Sequence, residues 1–96
     1  MNKKEELSKK LYSFIYEIDE HKKTLNEGNK QYLENLKNFA ETLISRLHND
    51  TLPSSTGGGL GFGRAISEYD DLANIDSLYD MAYEVDLFYS EECQEW

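Results

Sequence analysis

The only proline and five of the six glycines of this 96-residue chain fall in one block, Thr51 to Gly63. No regular element survives such a composition, so the chain must build its order on either side of it. Before the block, apolar residues recur at Leu7, Leu11, Phe14, Ile15, Ile18 and Leu25, and again at Tyr32, Leu33, Leu36, Phe39, Ala40, Leu43, Ile44 and Leu47. Steps of three, four and seven mark one face of a helix. The first series predicts a helix from about Lys3 to about Leu25, opened by an Asn2/Glu5 capping box, backed by a face of Lys and Glu, and stopped at Asn26-Glu27-Gly28. The second predicts a helix from Tyr32 to near Asn49, packed antiparallel on the first because their connection is short, with Leu36 and Phe39 buried.

Beyond the block, Arg64 to Leu72 reads as a short helix with Ile66, Tyr69 and Leu72 facing inward. Ser77, with Asp80 three residues on, is the expected N-cap of a last helix running to Cys93. The expected fold is all-α: one domain over residues 1–96, a small antiparallel helical bundle of about four helices, with the Gly-rich loop between the second and third. Leu60 and Phe62 are expected to anchor that loop to the core.

Seven Tyr, four Phe and one Trp are too many aromatics for a disordered acidic tail. A single cysteine, Cys93, forms no internal disulfide, and no segment reads as a signal peptide or membrane span, so the expectation is a cytoplasmic protein with no membrane partner.

Charge divides the chain. Residues 1–50 carry nine basic and nine acidic side chains, whereas residues 51–96 carry Arg64 against ten acids, so the whole formal charge of −9 lies in the second half. A block of one sign repels itself and attracts a basic partner.

The motifs of catalysis and phosphate binding are missing. A P-loop needs Gly-Lys followed by Ser or Thr where this chain has Gly63-Arg64-Ala65, and the dinucleotide pattern fails at Phe62 and Arg64. His21 and His48, near the far ends of antiparallel helices, are expected well apart, and Cys93 is expected to fill the end of the last helix. No EF-hand loop accompanies Asp70-Asp71 or Glu91-Glu92. No enzyme, cofactor, catalytic residue or metal site is expected.

On the last helix, Leu78, Met81, Ala82, Val85, Phe88, Tyr89 and Cys93 form the predicted core face. A second stripe remains, Tyr79, Tyr83 and Leu87, flanked by Asp80, Glu84 and Glu91 on one side and Asp86 on the other. Exposed aromatics among carboxylates suit a protein interface, and the expected partner-binding set is the nine residues Asp70, Asp71, Asp76, Tyr79, Asp80, Tyr83, Glu84, Asp86 and Leu87.

The run from Gly57 to Leu72, Gly-Gly-Gly-Leu-Gly-Phe-Gly-Arg-Ala-Ile-Ser-Glu-Tyr-Asp-Asp-Leu, with the acidic Tyr-rich helix after it, resembles the small helical immunity proteins that protect bacteria from contact-dependent-inhibition and colicin-like toxins. The likeness covers about the C-terminal half and is one of style. The immunity proteins of colicin DNases carry a Tyr-Tyr pair in a short third helix where Tyr69 here stands alone, so no residue role is carried over from them. The resemblance implies a stoichiometric inhibitor, a monomer forming a 1:1 complex with a cognate basic toxin domain, a nuclease, and touching no nucleic acid itself. The same surface would serve a phage- or plasmid-encoded nucleic-acid mimic that inhibits a host DNA- or RNA-binding protein, or a helical adaptor or homodimer burying the Tyr79, Tyr83 and Leu87 stripe.

Overall fold

The computed structural model describes residues 2–96, and these fold into five helices with no strand among them: α1 Lys3–Lys22, α2 Glu27–His48, α3 Phe62–Ser67, α4 Asp70–Ala73 and α5 Asp76–Glu92. α1 is the central element. It packs against α2 on one side and α5 on the other, and α3 lies against α5. Leu7, Leu11, Phe14 and Ile18 are accordingly fully buried.

Asn2 caps α1 by accepting the Glu5 N–H at 2.8 Å, and Glu5 and Glu6 in the first turn with His21 and Lys22 in the last complement the helix dipole. α1 stops three residues earlier than its apolar pattern suggests, and Gly28 is not the stop. Asn26 accepts the Asn29 N–H at 2.8 Å and starts α2 at Glu27, which places Gly28 in a first turn and starts α2 five residues before Tyr32. The antiparallel hairpin is tied by Lys22 to Glu34, by Lys37 to Asp19 at 3.1 Å, and at its other end by Lys4 to Asp50 at 2.8 Å. α2 closes in a Schellman turn: the Thr51 N–H bonds the Arg46 carbonyl at 2.9 Å and the Asp50 N–H bonds Leu47 at 3.3 Å, with Asp50 at φ 58° where glycine is usual.

The Gly-rich segment is laid along α5. The Tyr89 hydroxyl donates to the Pro53 carbonyl at 2.8 Å, the Ser55 N–H to Cys93 at 2.8 Å, and the Trp96 indole N–H to Leu52 at 3.1 Å. Gly57 and Gly61, at φ 110° and 91°, supply its left-handed turns. Phe62 then enters the core, its ring 4.8 Å from that of Phe14 and 5.4 Å from that of Phe39.

Four further expectations are corrected. The predicted third helix divides into α3 and α4 at Tyr69, whose extended backbone (φ −120°, ψ 118°) interrupts the ladder. Tyr69 is 45% exposed and lies on the Tyr32 ring at 4.5 Å instead of facing inward. Ser77 does not cap α5, which begins a residue earlier behind Ile75 without a side-chain cap, and its hydroxyl meets His21 Nε2 at 3.0 Å. Phe39 is 45% exposed, although its ring lies against Phe62 of α3.

Candidate protein-binding surface

Helical spacing gives α5 three aspects. Leu78, Ala82, Val85, Tyr89 and Cys93 are buried in the core, and burial pushes the Cys93 thiol up to about 11. A second aspect meets α1, where Lys10 pairs with Glu84 at 2.9 Å and Lys3 with Glu92 at 2.7 Å. Both ammonium groups also lie over the Phe88 ring, 5.2 Å and 5.6 Å from its centroid. The Lys3 hydrogen bond holds the Glu92 carboxyl below the usual carboxylate range. The half of the chain with no net charge thus supplies cations to the acidic half.

The third aspect faces outward. Leu87, 54% exposed, lies in an open depression of about 460 Å³ shared with Tyr83 and Phe88 and bordered by Asp80, Glu84, Glu91, Glu92 and Lys10. Asp80 and Glu91 have no basic partner among the described residues. Apolar groups ringed by charge have the layout of a protein contact, a desolvated centre inside a polar rim.

Of the nine residues expected to form the interface, Asp80, Tyr83, Glu84 and Leu87 come together in this depression. Tyr79 does not line the depression, but its ring lies tilted against that of Tyr83, 4.7 Å between centroids. Tyr83 rests on Gly63, where a Cβ would come within 2.7 Å of its ring. Asp86 turns away from the depression: its carboxylate accepts the N–H groups of Leu60 and Phe62, each at 3.2 Å, and of Gly63 at 2.8 Å. The amide nest in the Gly-rich loop is therefore filled from within by Asp86. Asp71 accepts from Asn29 at 3.2 Å, and Asp70 and Asp76 lie exposed at the starts of α4 and α5, outside the depression.

Sequence reasoning missed several participants. Phe88 is half-buried and shared between the α1 contact and the depression, so its assignment to the core is only partly apt. Lys10 reaches Glu84 across 74 residues, a pairing no local pattern announces. Tyr12 and Tyr16, 54% and 64% exposed, stand on the face of α1 expected to be only Lys and Glu, although their spacing of four is visible in the chain. His21 lies beside Ser77, whereas His48 borders a depression with Asn2, Lys4 and Ser8 at the opposite end of α1. Among the described residues no cluster of three or more His, Cys, Asp or Glu is placed to hold a metal, and no helix is long and apolar enough to cross a membrane.

Set beside known protein families, curated proteins and solved structures, the chain matches none of them.

Proposed function

We propose that this chain is a stoichiometric inhibitor of the immunity-protein kind, a cytoplasmic monomer that forms a 1:1 complex with a basic bacterial toxin domain, a nuclease, and occludes it without chemistry of its own. The observation that carries the reading is the exposed Leu87 in a depression rimmed by Asp80 and Glu91, two carboxylates with no basic partner among the described residues. The net charge of −9 would speed encounter with a basic surface, and Leu87 and Tyr83 would supply the contact that excludes water once docked. A homodimer through this face would bring Asp80, Glu84 and Glu91 of two copies together, and like charges in contact oppose it.

Calorimetric titration against the C-terminal domain of the protein encoded immediately upstream, at low and moderate salt, tests the reading. One-to-one binding at nanomolar Kd or tighter is expected, and no binding at either salt overturns the toxin assignment. Leu87→Ala and Asp80→Lys should each weaken that binding about tenfold or more while leaving the helical circular dichroism unchanged. Tyr83→Ala is a less clean probe, because Tyr83 also supports α3 through Gly63.

A further inference from the structure

The acidic helix already binds one helix through that helix's lysines, and α1 shows how. Lys3 and Lys10, seven residues apart, reach Glu92 and Glu84, eight apart on an antiparallel neighbour, while their ammonium groups lie over the Phe88 ring between them. The outer aspect of α5 repeats these components without a helix on it: Asp80 and Glu91 at its ends and Leu87 between them, with Tyr83 alongside.

We propose that the outer face of α5 docks an amphipathic basic helix of the partner much as its inner face docks α1. The proposal rests on the reading of this face as a protein-binding surface. Asp80 and Glu91 are eleven residues apart on a continuous helix, about 16 Å along the axis. A partner helix lying along α5 spans that with two Lys or Arg side chains about eleven residues apart. An apolar residue between them rests on Leu87 and Tyr83. Helix-in-groove recognition fits, because α5 is fully helical and offers no unpaired backbone edge for an added strand. An extended segment would cover the same distance in about five residues, so the spacing of the two cations separates the two modes.

The test uses the full chain and two fluorescein-labelled, Ala-rich 18-residue peptides of identical composition, followed by anisotropy at low salt. One carries its two Lys eleven residues apart with Leu four and seven residues after the first, positions that share the Lys face of a helix, and the other carries them six apart with the same two Leu between, on the Lys face of an extended segment. The first is expected to bind at least tenfold more tightly and to gain helicity on binding, and that preference should vanish in the D80N/E91Q chain, whose own helical circular dichroism is unchanged. Equal affinities, binding by neither peptide, a preference for the second, or a preference that survives in D80N/E91Q overturns the proposal. Titrating D80N/E91Q with the upstream-encoded domain separates the two levels. Weakened binding there, with no preference between peptides, retains the face and rejects the helical occupant, whereas unchanged binding rejects the face itself.

Discussion

Three backbone N–H groups converge on the carboxylate of Asp86, from Leu60, Phe62 and Gly63. They hold the end of the Gly-rich loop and the start of α3 against α5, and in Asp86→Ala all three lose a charged acceptor in a partly buried place. That variant should be destabilised by about 2 to 4 kcal/mol in urea unfolding, with Asp86→Asn intermediate. A cost near zero would show that water replaces the carboxylate freely. In the sequence Asp86 is one acid among ten and reads as part of the interface, because a bond across more than twenty residues leaves no local trace. Gly63 is equally silent: its role is to let the Tyr83 ring lie directly on the α3 backbone.

At the level of elements, the apolar steps located the helices but did not rank their faces. Phe14 and Phe39 hold equivalent places in their patterns and both lie against Phe62 of α3, yet Phe14 is fully buried while Phe39 is 45% exposed. Phe14→Ala should therefore cost about 3 to 5 kcal/mol, and Phe39→Ala about 1 kcal/mol, in matched urea unfolding. Equal costs would mean that Phe39 is better covered than its neighbours allow. The break at Tyr69 has the same origin. Ile66 and Leu72 must both reach the core, and the chain meets that demand with two short helices joined by an extended residue.

Over the whole molecule, ion pairs join α1 to both neighbours. Burial works to raise the Asp19 carboxyl, but hydrogen bonds from Lys37 and Lys22 outweigh it and hold it below its usual 3.8. The Lys22 hydrogen bond likewise holds Glu34 below 4.5. A depressed carboxyl contributes stability that is present above its unfolded value and lost as pH falls through its folded one. Between about pH 5 and about pH 2.5 the parent should therefore lose more of its Tm than D19N/E34Q, a comparison in which relief of acidic repulsion is common to both chains. Parallel melting curves would show these exposed pairs to be fully screened.

Helical character was legible in the chain because periodicity and breakers are local: the spacing of Leu7, Leu11, Phe14 and Ile18, and one block holding Pro53 and five glycines, suffice to place the long helices. The charge division was legible too, and with it the candidate face on α5. Which acids remain available on that face depended on tertiary packing. Lys10 and Lys3 reach Glu84 and Glu92 from the far end of the sequence, and the loop claims Asp86, while Asp80, Leu87 and Glu91 are left facing outward. Hydrophobic spacing repeats every few residues and can be read along the chain. The partner of a charge is set by which helices touch, and that is decided only when the core closes.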